Sequence, residues 1–300
     1  MKKIKILKKL TKVLILGSTG LLGNQLVSYF QKQKKLNKFT LYITSRSKSK
    51  KSGTIYFDAL VEKTFQNIIF FKPDFVINCI GLINPLVNLN STLSLINCLK
   101  INSILPIKLS EYFKNSKIIH FTTDGVFDGK KGNYVETDAH SCPDFYGRSK
   151  SLGEVARSNV MNLRCSIIGF EKNTNYSFLN WYWKNKDNKI NGHKNYIWNG
   201  ITSNALSKIC MGIVSKNLFL NGTFHILPSD KISKYELLRL FNKYLNNNKS
   251  KIKAINSNLA FDRSLRTIHK NFNLKIWKAA GYKRIPKINF LIKELIEQII

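Results

Sequence analysis

Tyr146-Gly147-Arg148-Ser149-Lys150 sets a phenol and an amine four positions apart. On a helix that spacing puts both groups on one face. An ordinary tyrosine titrates near 10 and is a poor acid–base group at neutral pH. A unit positive charge about 6 Å away, at an effective dielectric of about 20, is worth roughly 3 kcal/mol, or about two pKa units. Lys150 is therefore expected to lower Tyr146 into a range where it can pass a proton to a carbonyl oxygen. Tyrosine and lysine four apart are common by chance, so a second element matters. Phe121-Thr122-Thr123-Asp124 ends an apolar run that reads as a strand. A Thr123 hydroxyl at that edge can hydrogen-bond the same carbonyl from the other side. Asn102, a poor helix former inside a helical stretch, can hold a water or backbone group near the lysine. In an asparagine-rich chain it also reads as a tolerated polar residue.

A second stretch suits a phosphate. Gly17-Ser18-Thr19-Gly20-Leu21-Leu22-Gly23 lies between an apolar run and a helical pattern. Gly17 suits the tight turn, Gly20 a close approach of backbone to a pyrophosphate, and Gly23 close helix–strand packing. The free N–H groups and positive end of the helix attract the anion. The spacing is G-x-x-G-x-x-G rather than the commoner dinucleotide G-x-G-x-x-G, and an ordinary strand–helix turn is the plain alternative. The next strand ends Thr44-Ser45-Arg46-Ser47, without the acid that would hold the ribose of NAD. Arg46 can instead pair with a 2′-phosphate. NADPH is expected over NADH, unless Arg46 is one more surface cation.

The elements that must position these groups follow from hydrophobic patterning. Strands are expected at Val13–Leu16, Phe39–Thr44, Thr54–Phe57, Phe75–Asn78, Lys117–Phe121 and Met161–Ser166. Helices are expected at Leu21–Gln33, Ser91–Phe113 (with Pro106 a kink) and Tyr146–Ser158. This alternation predicts an α/β, Rossmann-like, doubly wound parallel sheet. Past Ser166 it loosens, with helices at Ser203–Val214, Ser233–Tyr244 and Ile288–Ile299 and a strand at Thr223–Ile226. The expected organisation is a basic tail over 1–11 and a cofactor domain over 12–165, to which 195–222 returns. A smaller, partly interleaved portion then covers 166–194 and 223–300.

Composition narrows the function classes. The chain has 300 residues, 43% hydrophobic, with 49 basic and 17 acidic side chains and a net charge of +32. That hydrophobic share supports a packed core and excludes a wholly disordered chain. The lysines are spread along the chain among Asn and Ile, not gathered on one element. A solvated basic surface is expected, suited to a diphosphate-bearing substrate and not to specific nucleic-acid binding. No run of eighteen uncharged apolar residues exists, so no membrane-spanning helix is expected. The apolar run Val13–Leu16 is too short for a signal peptide. Five dispersed cysteines favour reduced thiols in a cytoplasm over disulfides or a zinc site.

Taken together, these motifs identify the chain as similar to extended short-chain dehydrogenase/reductases. Among these it most resembles the dTDP-4-dehydrorhamnose reductases and their sugar-nucleotide-binding relatives. The resemblance is carried by GSTGLLG (Gly17 to Gly23), Asp58, PDFVINCIG (Pro73 to Gly81) and Asn102. It is strongest over TTDGVFDGKKGNYVETDAHSCPDFYGRSKSLGE (Thr122 to Glu154) and extends through LRCSIIG (Leu163 to Gly169), GTFHILPSDKISKYELL (Gly222 to Leu238) and FDRSL (Phe261 to Leu265). It implies an NADPH-dependent reductase of a 4-keto nucleotide-sugar, in deoxysugar supply for surface polysaccharide. Thr123, Tyr146 and Lys150 would be the catalytic triad, with Lys150 also holding the nicotinamide ribose. Gly20-Leu21-Leu22, Asp58-Ala59 and Ile80-Gly81-Leu82 would line the cofactor, and Thr123 and Asp124 would touch the sugar. Two positions depart from the family pattern: Gly125 and Ile167 stand where Tyr and Trp are frequent. Both lie toward the sugar, so the reaction is expected to persist with a reshaped pocket; Trp181 and Trp198 are candidates to compensate, with ordinary core or interface packing the plainer reading of each. A homodimer is compatible with the family. The rival readings are an epimerase or dehydratase of the same fold, and a non-catalytic subunit like the regulatory subunit of methionine adenosyltransferase.

Other polar candidates have plainer readings. Asp124, Asp128, Glu136 and Asp138 are interleaved with glycines, as turns require. His120 reads as a core residue. Arg263 is a candidate for a substrate diphosphate or a partner of Asp262.

Overall fold

A computed structural model describes residues 10–33, 39–47, 53–172, 175–245 and 251–299; most of the basic tail, residues 1–9, lies outside them. From the amino end the elements are β1 (Thr11–Leu16), α1 (Leu21–Gln33), β2 (Phe39–Ser45), β3 (Thr54–Tyr56), α2 (Gln66–Ile69), β4 (Phe75–Asn78), α3 (Thr92–Leu99), α4 (Leu105–Tyr112), β5 (Lys117–Thr122), α5 (Phe145–Leu152) and β6 (Val160–Arg164). They continue with β7 (Ile167–Ile168), α6 (Phe178–Asn185), β8 (Lys189–His193), β9 (Tyr196–Trp198), β10 (Ile201–Thr202), α7 (Ser203–Ser215) and β11 (Gly222–His225). The chain closes with β12 (Ile232–Ser233), α8 (Lys234–Tyr244), β13 (Lys251–Ile255), β14 (Phe261–Asp262), α9 (Lys270–Ala279) and α10 (Ile288–Ile296).

Among the described residues the main sheet has seven strands in the order β11-β6-β5-β4-β1-β2-β3, all parallel. Strands of such a sheet are covered on both faces, which is why β1 reads as an unbroken apolar run. Val13 and Ile15 enter the core beneath α1 and α7, while Leu14 and Leu16 enter the one with Leu105 and Leu109 of α4. The strand order reverses between β1 and β4, where doubly wound sheets bind ligands at their carboxyl edge.

The smaller portion is built from α6, α8 and α10, around Leu179, Tyr182, Phe241 and Ile292. Two short sheets join them, β12-β9-β14 and β13-β8. Ser233 and Glu236 form a capping box that starts α8.

Several boundaries differ from expectation. Strand β11, expected to open the second portion, is the edge strand of the main sheet, paired to β6. Strand β9, expected to return to the cofactor domain, pairs with β12 and β14. Helix α9 sends Ile276 and Trp277 into the main core. Helix α5 stops at Leu152, six residues early, with Gly153 at its carboxyl cap. The long helix around Pro106 is interrupted by a π turn, Lys100–Ile104. Pro106 has no N–H to give the Asn102 carbonyl, and the Leu105 N–H bonds Lys100 O, five residues back. The five cysteines are unpaired. Among the described residues no helix is long and apolar enough to cross a membrane.

Candidate active site

The glycine turn follows β1. Gly17 sits at φ +78°, and a Cβ there would lie 2.9 Å from Ile80 Cγ1, across the switch point. A Cβ on Gly23 would fall 2.0 Å from Gly17 O, so the helix start and the turn touch backbone to backbone. Gly20 is different. Its Cβ would meet only Gly17 O, at 3.7 Å, so packing does not require glycine there, and Thr19 and Gly20 face outward. That is the open face a phosphate needs. Thr44 braces the turn: Gly17 N donates to its Oγ1 at 3.2 Å and Ser18 Oγ to its carbonyl at 2.8 Å. Leu22 is a core side chain and Leu21 packs beside it. Arg46 is the first residue past β2 and is exposed.

Asp58 caps its own turn, its Oδ1 accepting from Leu60 N at 2.9 Å, with Ala59 half-buried beside it. Ile80, Gly81 and Leu82 leave the end of β4. The π turn carries Asn102 fully inward. Its Oδ1 accepts from Leu82 N at 2.9 Å, and its Nδ2 donates to Leu82 O and to Ser149 Oγ, both at 3.0 Å. Asn102 thus anchors the β4 loop to α5 by holding the backbone of Leu82 and the Ser149 hydroxyl. A Cβ on Gly81 would lie 3.6 Å from Asn102 Oδ1 and 3.9 Å from Lys150 Nζ. The Gly81 backbone therefore faces the lysine directly.

Helix α5 carries the phenol and the amine, and two glycines let it come close. A Cβ on Gly147 would lie 2.3 Å from Gly125 O, and one on Gly153 would lie 2.0 Å from Asn102 O. The first contact draws Tyr146 against the turn after β5. Thr123 Oγ1 there accepts from Gly125 N at 3.0 Å and donates to Asp124 Oδ1 at 3.1 Å. The Tyr146 ring lies beside it: a Cβ on Gly125 would stand 3.2 Å from Thr123 Oγ1 and 3.4 Å from Tyr146 Cε1. Lys150 is buried, and its Nζ donates to Phe121 O at 2.8 Å. Thr123, Tyr146 and Lys150 therefore converge at the carboxyl edge of the sheet.

The electrostatics differ from the expectation drawn from spacing. Burial pushes the Tyr146 phenol up to about 12; the Thr123 hydrogen bond opposes this, and Asp124 and Asp144 add to it. The lowering expected from Lys150 is not found: Lys150 is not among the influences on the phenol, and desolvation of the phenolate is the largest of them. Burial also lowers Lys150 to about 8, with Glu154 the main opposing influence. Burial raises the Asp124 carboxyl, and Arg263 opposes that rise.

The second portion faces this edge with cations. Arg263 lies over the Phe261 ring, 3.6 Å from Asp144 rather than paired to Asp262. Lys234, lowered by burial and held up by Tyr196 and Asp124, sits over the rings of Phe178 and Tyr196. Nothing in the sequence singles out Lys234, whose signal is only lysine at a helix start. Ile167 packs on the main core. Trp198 is buried, with its N–H donating to Ser166 Oγ at 2.8 Å, and Trp181 stacks on Phe178. His120 is buried, 3.1 Å from Asn78 Nδ2. A cavity of about 400 Å3 between Asn199, Lys231, Arg266 and Lys270 is lined by none of the expected site residues. The site is therefore defined by the converging side chains, not by that cavity.

Comparison with curated proteins finds no relative. Among solved structures, a dTDP-4-dehydrorhamnose reductase from Clostridium acetobutylicum is 19% identical, with TM-score 0.74 over 96% of this chain and 99% of that one. The enzyme of the same name from Bacillus anthracis, in complex with NADP, is 17% identical with TM-score 0.77 over 97% and 100%. The Helicobacter pylori ADP-L-glycero-D-manno-heptose-6-epimerase is 16% identical with TM-score 0.74 over 97% and 96%. At these identities the likeness establishes the fold. The model of the RmlD substrate binding domain matches residues 11–300, and the chain belongs to that family.

Proposed function

We propose that this chain is an NADPH-dependent reductase of a 4-keto nucleotide-sugar, serving deoxysugar supply for surface polysaccharide. The observation that carries the reading is the convergence of Thr123, Tyr146 and Lys150 at the carboxyl edge of the sheet, with Gly81 against Lys150, on the edge where the open glycine turn at Gly20 also lies. The cradle fits a dinucleotide. The backbone of Gly17 to Leu22 would hold the pyrophosphate, Arg46 the 2′-phosphate, and Asp58, Ala59 and Ile80 to Leu82 the remainder. Lys150, with one N–H committed to Phe121 O, keeps two donors for a ribose. NADH is the alternative cofactor.

When bound, the nicotinamide supplies a hydride. Reducing C=O to CH–OH also needs one proton at oxygen, and Tyr146 provides it. A phenol held near 12 stays protonated at neutral pH, as an acid must before it donates. Thr123, beside the Tyr146 ring, directs the carbonyl oxygen toward the phenol. Asp124 and Ile167 bound the sugar. Gly125 keeps the space above Thr123 small-sided, since a Cβ there would lie 3.2 Å from Thr123 Oγ1 and 3.4 Å from Tyr146 Cε1. Arg263 and Lys234 supply positive charge for the substrate diphosphate. The exposed side chains of Leu93, Ile96, Ile104, Ile107 and Leu152 support a homodimer through α3, α4 and α5. The five unpaired thiols support a cytoplasmic setting.

The test is NADPH oxidation against a panel of dTDP- and UDP-4-keto sugars. Turnover is expected with at least one. Tyr146→Phe is expected to abolish it while sparing NADPH binding. A fully active Phe variant would remove the mechanism. Sugar conversion without net NADPH consumption would replace the reductase with an epimerase or dehydratase.

A further inference from the structure

A buried charge network lies directly behind the triad. Arg164, at the end of β6, is 1% exposed. Its Nε donates to Glu154 Oε1 at 2.9 Å, and one terminal nitrogen donates to Glu154 Oε2. The terminal nitrogens also reach His225 Nε2 and His140 Nε2, both at 2.8 Å. His225 gives its Nδ1 proton to Arg266 O at 2.6 Å, so its Nε2 accepts from Arg164 and the ring is neutral. Beyond it, Glu136 accepts from the backbone N–H groups of His225 and Ile268, each at 3.0 Å. The network thus runs from the main sheet to the segment that follows β14. On the catalytic side Thr122 Oγ1 donates to Glu154 Oε1 at 2.7 Å.

We infer that Glu154 is a positioning residue for the reduction, fixing the strand end that carries Thr123 and setting a carboxylate beside Lys150: Glu154 Oε1 holds Thr122 Oγ1 at 2.7 Å, and Lys150 Nζ holds the carbonyl of the preceding residue, Phe121, at 2.8 Å. The inference rests on the proposed roles of Thr123 and Lys150. Thr122 immediately precedes Thr123, so its hydrogen bond to Glu154 sets where the catalytic hydroxyl starts. Lys150 is 6% exposed and has a neutral carbonyl as its hydrogen-bond acceptor. The groups that face it are Glu154 past its own helix, Cys98 on α3, His120 on β5 and Cys165 after β6. Burial keeps the Cys165 thiol protonated and holds His120 neutral. Glu154 is the carboxylate of this set. A buried ion pair such as Arg164–Glu154 contributes little stability over an apolar pair of the same size. A Glu–Arg pair here therefore calls for a reason other than stability, and holding Thr122 with a carboxylate beside Lys150 supplies one.

Two variants separate the two roles. Glu154→Gln removes the charge and keeps the shape; Thr122→Val removes the strand-end hydrogen bond and keeps the charge. The Lys150 ammonium is followed by NMR in protein carrying 13Cε-labelled lysine, assigned by the signal lost in Lys150→Met. The pH profile of kcat is measured beside it. In Glu154→Gln the Lys150 midpoint is expected to fall by about one pH unit, and the basic limb of kcat to move with it. In Thr122→Val the midpoint is expected to stay, while kcat falls about tenfold at every pH. Glu154→Gln leaves Arg164 buried without its partner and can cost folding. The double variant Glu154→Gln with Arg164→Met restores a neutral interior and is expected to show the same lysine shift. An unmoved Lys150 midpoint in either folded protein overturns the inference. A moved midpoint in a chain that reduces no keto-sugar counts against the reduction and not against the Glu154–Lys150 coupling.

Discussion

Two glycines three positions apart have opposite structural duties, and exchanging each for alanine tests the phosphate cradle. At Gly23 the added carbon would stand 2.0 Å from Gly17 O and 2.8 Å from Gly17 C. These are backbone atoms of a residue already at φ +78°, so the turn must open. Forced overpacking of this kind costs about 3 kcal/mol or more. For a chain of this size that lowers Tm by about 5–10 °C. At Gly20 the nearest atom is 3.7 Å away, so the methyl enters free space. Stability should change by less than about 1 kcal/mol, the usual range at a helix N-cap. The methyl does occupy the face where a pyrophosphate would meet the backbone. Losing one charge-assisted hydrogen bond there costs about 1.5–3 kcal/mol, which raises the NADPH Kd about 10- to 100-fold. The assay is NADPH fluorescence titration beside thermal unfolding. Gly23→Ala should lower Tm, and Gly20→Ala should keep Tm and lose affinity. A folded Gly20→Ala protein that binds NADPH like the parent refutes the reasoning, because the anion would then not approach that face.

Two further outcomes follow from exposed and buried charge. Arg46→Asp is expected to weaken NADPH binding about 10- to 100-fold and to spare NADH, with Tm unchanged because the side chain is exposed; an unaltered NADPH-to-NADH ratio would make Arg46 an ordinary surface cation. Burial holds His225 near 4, below its ordinary 6.5. Between those values the unfolded chain binds more protons than the native one, so stability falls as pH drops through that window. Lys150, near 8 against 10.5, has the same sign, and stability gains as pH rises from 8 toward 10.5. Urea midpoints at pH 7 and pH 5 check the acid side: the lower pH should give the lower midpoint, and equal midpoints would contradict a neutral buried His225.

Much of the site was legible because its signals are local. The apolar run Val13–Leu16 followed by three glycines and an amphipathic stretch specifies β1, the turn and α1 with no distant partner. The i, i+4 spacing of Tyr146 and Lys150 places them on one face wherever the helix lies. Asn102 is a poor helix former in a helical stretch, and the structure gives the reason: Pro106 opens a π turn, and the side chain clamps Leu82 and Ser149. The short strands β8 and β13 were not legible, because each is paired by a segment some sixty residues away.

The sequence by itself determined which residue types stand at the carboxyl edge of the sheet, since strand period, glycine turn and helix period are properties of neighbours along the chain. Tertiary structure alone decided what those residues are chemically. Spacing predicted a phenol lowered by its lysine, yet burial sends it the other way. The lysine's charge depends on Glu154, which Arg164 and Thr122 hold in place. Desolvation and buried ion pairing are set by everything packed around a group, and that environment is assembled from residues far apart in the chain.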